Sequence, residues 1–452
     1  MISRIPELQL KWQWYVPNQS FFARILQRLE SNAWYYPCVG TVSLLGDGVI
    51  GAIVCHNVRT KDNEDKKIYY NHQSKYLYGI DATSGQTLWR FSMGTNLVIA
   101  GGNVIKPVYD QWPSKYGDGI HVIDIQTGKK LRSIHLEHSG KDCVCVAALP
   151  TLALFLDDVR HSLFAVNTKD GRIKWKRNRK KGKFIDAVIG EKVVYVIQLS
   201  EKRGTRKSYD DLSNQLYDFQ IWALDITSGR LKGEFSFSNE SGYGGMYRYD
   251  SLGDLIFFVD GDKYKLYAIN IQKKWEFTMN AESNVEFSPP IIGDETVFIR
   301  HCYGSGYVVR CLSMRSGRLL WQEKQDVDVL EFGNGSVFFV KAGIIYKVNP
   351  KIGKTMWKKR ITSKHNHSDW LHITNQDIWV SIHEQADQVA HHEYKLLCLD
   401  LTSGEERFCI FIDNGFGNGI DTRHPPCITS DTVYIANHSN PNFIRAFSGT
   451  SE

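Results

Sequence analysis

The segment YLYGIDATSGQTLWRF, residues 76–91, reads as a β-hairpin with a marked turn. Its first half alternates apolar and polar side chains, the period of a strand with one buried face. Asp81 then opens a Thr-Ser-Gly turn, in which Gly85 supplies the positive φ that a tight connection needs. The returning strand carries Trp89, a ring large enough to fill the seam between neighbouring sheets.

The same pattern recurs along the chain. It is read at 119–134 with Gly128, at 162–177 with Gly171 and Trp175, and at 221–235 with Gly229. It returns without its glycine at 265–277, where Trp275 is kept. Three further copies lie at 308–322 (Gly317, Trp321), 344–359 (Gly353, Trp357) and 395–409 (Gly404). Before each hairpin stands an apolar pair of segments split by Gly, Asp or Asn, such as PIIGDETVFIRHC from Pro290. Two short strands and a hairpin make a four-stranded sheet, the blade of a propeller, and fixed-period self-similarity is the signature of such arrays.

The D-x-x-[ST]-G-x-x-x-W pattern resembles the PQQ-like repeat of quinoprotein dehydrogenases and of the bacterial outer-membrane assembly propeller lipoprotein. The resemblance covers nearly the whole chain and implies an all-β, closed propeller of four-stranded blades. It does not imply their chemistry, since function resides in sites grafted onto folds. The chain has no lipobox, and the adjacent Cys-Cys pair that quinoprotein dehydrogenases place beside their cofactor does not occur in it.

Residues 1–452 are therefore read as one propeller domain. The last repeat, from Pro425 onward, supplies three strands, and residues 7–17 with Trp12 form an unpartnered outer strand. Pairing them completes the last blade and removes exposed edges. The count is then nine repeat units, with eight blades as the alternative. Residues 20–32 carry Phe21, Phe22, Ile25, Leu26 and Leu29 at helical spacing, which predicts a short amphipathic helix.

The chain has 452 residues, 42% apolar and 12% aromatic, with 55 Lys plus Arg against 49 acidic residues and a formal charge of +6. No stretch approaches the roughly 18 apolar residues of a membrane helix, and the first residues carry no secretory h-region. Nine scattered cysteines, mostly inside apolar strands, read as reduced thiols and give a cytoplasmic expectation.

The long connections fall mainly between second and third strands: 59–75, 110–119, 200–218 and 384–394. Those at 177–183 and 413–424 link one blade to the next and share that face. Long loops on a rigid scaffold are where binding concentrates. Two basic segments stand out: Lys176, Arg177, Arg179, Lys180, Lys181 and Lys183, then Lys202, Arg203, Arg206 and Lys207. They are the candidate partner-binding residues, and the clustered charge suits a polyanion, whether nucleic acid, an anionic lipid surface or an acidic protein.

The later histidines, from His365 to His392, form no ligand motif and are read as surface residues. GFGNG at 415–419 follows no βαβ pattern, and GSG at 304–306 is no nucleophile elbow. The reading is a non-catalytic interaction or sensing scaffold that holds a protein or polyanion on its long-loop face, with no catalytic residue, cofactor or metal assigned. The competing reading is an enzyme, a cryptic PQQ- or metal-dependent oxidoreductase or a hydrolase using the central channel.

Overall fold

Among the residues described by the computed structural model, 36 strands form nine four-stranded antiparallel sheets. The description covers the strands and tight turns between residues 9 and 448. It leaves out 1–8, 16–32, 62–67, 94–97, 109–118, 136–142, 179–182, 202–216, 239–247, 280–287, 363–367, 386–391, 413–426, 438–442 and 449–452, with some shorter stretches. The helix expected at 20–32 lies outside the described residues.

In chain order we number the sheets 1 (33–93), 2 (98–135), 3 (143–178), 4 (183–238), 5 (248–278), 6 (291–323), 7 (329–360) and 8 (371–412). Sheet 9 takes three strands from 427–448 and its fourth, Gln9–Tyr15, from the other end of the chain. That strand runs antiparallel to Phe443–Ser448, with Trp12 opposite Ala446, and the Arg445 Nε donates to Gln13 Oε1 at 3.2 Å. An edge left unpaired would be a template for association, and this pairing covers it.

The chain divides into two compact units. One holds residues 1–94, 123–131 and 360–452, and the other holds 95–122 and 132–359. In the first unit, sheet 9 packs on sheet 1 through Tyr434, Ile444 and Ala446 against Ile50, Tyr78 and Ile80. Its Val433 and Ile435 pack against Trp379, Leu396 and Cys398 of sheet 8. In the second unit, sheets 3 to 7 are joined in succession by four apolar layers of the same kind. The inner sheets of each stack are thus buried on both faces by their neighbours, as stacked repeats require.

The repeat motif closes each hairpin by chemistry that its residues dictate. Asp81 Oδ1 accepts from the backbone N–H groups of Thr83 (3.1 Å) and Ser84 (2.7 Å) and from the Ser84 hydroxyl (2.7 Å). Those bonds, the Ser84 hydroxyl first, hold the Asp81 carboxyl below the ordinary range. Asp225 and Asp400 repeat the arrangement and are lowered further. For Asp225 the Lys232 ammonium at 2.7 Å is the main cause. For Asp400 it is the Ser403 backbone N–H, followed by the Arg407 guanidinium. This is the local turn for which Asp followed by Ser or Thr is suited.

The tryptophans then join blade to blade. Trp175 of sheet 3, only 7% exposed, donates its indole N–H to the Ile226 carbonyl in the turn of sheet 4 at 2.9 Å. Gly229 in that turn has φ +66°, and a Cβ there would lie 2.6 Å from the Trp175 ring. The motif therefore needs glycine both for its backbone and for the close approach of the ring. Trp89 makes the equivalent bond to Ile125 (2.8 Å), Trp275 to Met314 (2.8 Å) and Trp321 to Pro350 (2.7 Å). Gly128, Gly317 and Gly353 sit against those rings. Trp357 is half-buried and lies 6.3 Å from Phe338 by ring centroids.

The joint between sheets 4 and 5 departs from the pattern on both sides. Sheet 4 carries Gly233 where the tryptophan belongs, and a Cβ there would come within 2.6 Å of the Ile271 carbonyl oxygen. Ile271 is in the turn of sheet 5, the hairpin that lost its glycine. From Asp81 to Trp89 is eight residues, whereas from Asn270 to Trp275 is five. The shortened turn seats its backbone in the space that an indole fills elsewhere.

Candidate interaction surfaces

The second-to-third connections leave the sheets at the end opposite the tight turns, and one sheet is extended there. In sheet 1 the strands Ala33–Gly46, Val49–Lys61 and Ile68–Asp81 are 14, 13 and 14 residues long. The fourth strand, Thr87–Met93, is paired only as far as Lys75. Beyond that point three strands continue without the fourth as an arm roughly 20 Å long at about 3.3 Å per residue. The segment expected as a 59–75 loop is therefore mostly strand, and the connection shrinks to 62–67. The physical reason is that IYYNHQSK continues a β-favouring run, whose Tyr-rich start outweighs its polar end.

Register places particular residues in rows across this arm. Trp34 pairs with Arg59, which pairs with Tyr70. Tyr36 pairs with Asn57, which pairs with His72. Cross-strand partners share a face, and residues two apart share it too, so both rows belong to the same face of the arm. Trp, Tyr and Arg are the residue types enriched in interface hot spots.

The basic segments fare differently. Lys176 and Arg177 lie in the strand Ile173–Asn178, and Lys183 opens the strand Lys183–Ile189, so these three are strand residues rather than loop residues. Lys176 is exposed. Arg177 is half-buried, and its Nε donates to the Gly229 carbonyl at 2.6 Å, which commits it to the joint between sheets 3 and 4. Arg179, Lys180, Lys181, Lys202, Arg203, Arg206 and Lys207 lie outside the described residues, as does the turn glycine Gly171. The repeat glycines Gly85, Gly128, Gly229, Gly317, Gly353 and Gly404 all have the positive φ expected of them.

At the tight-turn end the second unit contains a cleft of about 680 Å³ formed by sheets 5, 6 and 7. Leu255, Met314 and Leu320 give it apolar walls, and Asn270 of the shortened turn borders it. Asp294, Glu295, Arg315 and Lys351 stand around it, with Lys351 and Glu295 ion-paired. Sequence reasoning passed over this end because its turns are short. The lost glycine at 265–277 was the signal that could have located the cleft.

Two further features bear on chemistry. Burial lifts the Cys311 thiol to about 12 and the Cys398 thiol higher still, so neither is a nucleophile at neutral pH. Glu331, on the first strand of sheet 7, is lifted by burial to about 7. Among the described residues no three His, Cys, Asp or Glu side chains gather in a metal-binding group. No described helix is long and apolar enough to cross a membrane.

Comparison with known proteins agrees with the fold. Similar solved structures include BamB from Moraxella catarrhalis, at 13% identity and TM-score 0.45, covering 78% of this chain and 96% of that one. A eukaryotic initiation factor is similar at 12% identity and TM-score 0.51, covering 79% and 85%. The C-terminal WD40 domain of Sif2 is similar at 8% identity and TM-score 0.48, covering 98% and 99%. At such identities the initiation-factor likeness speaks for the fold alone. No curated protein sequence matches the chain. The family model described as outer membrane protein assembly factor BamB matches residues 64–232 and 217–450, and on that match the chain belongs to the BamB-type family of PQQ-like β-propellers.

Proposed function

We propose that this propeller is a non-catalytic interaction scaffold that holds a protein or polyanionic partner on the face of its second-to-third connections. The observation that carries the reading is the arm of sheet 1, where Trp34, Arg59 and Tyr70 form one cross-strand row beyond the blade proper. The extension carries its three strands past the fourth strand of the sheet, and the Trp, Arg and Tyr paired along it are residue types that recognition surfaces favour. The basic segments 179–181 and 202–207 belong to connections of the same face and add the polyanion component. A reducing, cytoplasmic setting completes the reading, supported by the buried thiols of Cys311 and Cys398, which form no disulfide.

The test is a paired capture experiment with the full chain. Proteins and nucleic acids retained by the wild type are compared with those retained by Trp34→Ala/Tyr70→Ala and by Arg179→Glu/Lys180→Glu/Lys181→Glu/Arg206→Glu. The reading expects specific retention that one or both variants lose while melting temperatures stay within a few degrees. Identical retention profiles for all three proteins would overturn it.

A further inference from the structure

The cleft of sheets 5 to 7 has an origin, a lining and a setting that together describe an occupant. Its origin is the shortened turn at Asn270, which leaves open a space bordered by the full-length turns of sheets 6 and 7. Its walls are Leu255, Met314 and Leu320, and about 680 Å³ is room for more than one bulky apolar side chain. Large apolar residues continue outside it. Leu252, paired with Leu255, is 49% exposed; Leu319, beside Leu320, is 38% exposed; Ile352, beside Lys351, is 66% exposed. Apolar side chains clustered beside an apolar cleft are what a protein contact leaves behind when its partner is absent.

Charge selects the kind of partner. Arg315 and Lys351 line the cleft with the carboxylates of Asp294 and Glu295, and Arg318 and Lys354 are exposed on the same two turns outside the lining. Glu295 is already neutralised by Lys351. Within the cleft the charges balance, and the surplus is the pair Arg318 and Lys354, exposed farther along the same two turns, so an occupant gains by bringing anionic groups that flank an apolar anchor and reach beyond the cleft. A concave site of this depth fits an inserted side chain, whereas a bilayer surface would meet only its rim.

We propose that this cleft is a docking site for an extended acidic peptide segment that inserts a bulky apolar anchor residue between the turns of sheets 5 and 6. The site uses the tight-turn end of the sheets and is independent of the scaffold reading above, which rests on the second-to-third connections. Binding is a surface event with no covalent step.

Fluorescence anisotropy on the full chain tests it with three short labelled peptides. One carries a Leu-Phe pair flanked by Asp and Glu, the second has Ser-Ser in place of Leu-Phe, and the third has Lys flanks. The first peptide is expected to bind at low salt and to weaken as salt rises. The other two are expected to bind at least about tenfold more weakly, a difference of about 1.4 kcal/mol. Arg315→Glu/Arg318→Glu and Leu319→Ser/Ile352→Ser alter exposed side chains, so they should leave the melting temperature in place while each weakens the first peptide by about tenfold or more. Equal affinity for all three peptides would overturn the proposal, as would unchanged binding by both variants. So would flotation with phosphatidylglycerol vesicles that the Arg variant loses, in the absence of any peptide binding, since the surface would then be a lipid site.

Discussion

Replacing Trp175 by alanine removes the side chain that joins sheets 3 and 4. The ring is 7% exposed, packs over Gly229 and donates to the Ile226 carbonyl at 2.9 Å. Truncating a buried aromatic to alanine costs about 3–5 kcal/mol through lost burial and the residual cavity. Orphaning the carbonyl adds part of the roughly 1–3 kcal/mol charged to a buried unsatisfied acceptor. We expect a loss near 4 kcal/mol, and Trp175→Phe, which keeps most of the ring but not the N–H, should lose about 1–2 kcal/mol. Lys176→Ala is the control, because Lys176 is exposed on the adjacent position of the same strand and should change stability by less than about 0.5 kcal/mol. Urea unfolding followed by circular dichroism gives the midpoints, and hydrogen exchange locates the loss, which should concentrate in residues 143–238 because stacked repeats couple mainly to their neighbours. Equal midpoints for Trp175→Ala and Lys176→Ala, or loss of protection spread evenly over the chain, would refute the joint as described.

Three further outcomes follow from the same geometry. Gly233→Ala places a Cβ 2.6 Å from the Ile271 carbonyl oxygen and should destabilise by about 1–3 kcal/mol in urea unfolding, whereas Gly48→Ala, whose added Cβ would meet nothing within 4 Å, should show only the strain of a φ of +73°. Glu331 is raised from 4.5 to about 7 by burial, so its contribution is fully present below pH 4.5 and is lost as pH rises through about 7. Glu331→Gln should therefore melt higher than the wild type at pH 8, by up to about 3 kcal/mol in stability, with the gap closing toward pH 5. Removing residues 1–15 strips Gln9–Tyr15 from Phe443–Ser448 and should produce concentration-dependent association in analytical ultracentrifugation; a monomer with an unchanged melting temperature would contradict it.

The blades were legible because their information is local. Asp81 to Trp89 contains the turn acceptor, the glycine and the ring within one hairpin, and each residue type has a single physical task there. The pairing of Gln9–Tyr15 with the last sheet was also readable, from a strand without neighbours and a sheet short of one. The arm of sheet 1 was not. Its polar stretch NHQSK suggests a loop, and only the ladder with Val49–Lys61 shows where the strand begins. The cleft was hidden for a different reason. It arises from residues that are missing, and a deletion becomes informative only when the neighbouring turns show what it leaves open. Basic residues illustrate the converse, because Arg177 belonged to a charged run in the sequence while its guanidinium is engaged by the Gly229 carbonyl.

Gly233 and the short turn at Asn270 carry a lesson about how such a chain can change. Each of the four indole seams is written half in one repeat and half in the next, the indole in the earlier and the glycine turn in the later. A recombination event that copies a whole blade would therefore import an indole with no seat, or a seat with no indole. The heritable module is the seam, running from the fourth strand of one sheet to the hairpin of the following one. Grafts of indole seams cut at those limits should exchange freely, whereas the segment from Leu231 to Thr278 has its own fit and must travel together.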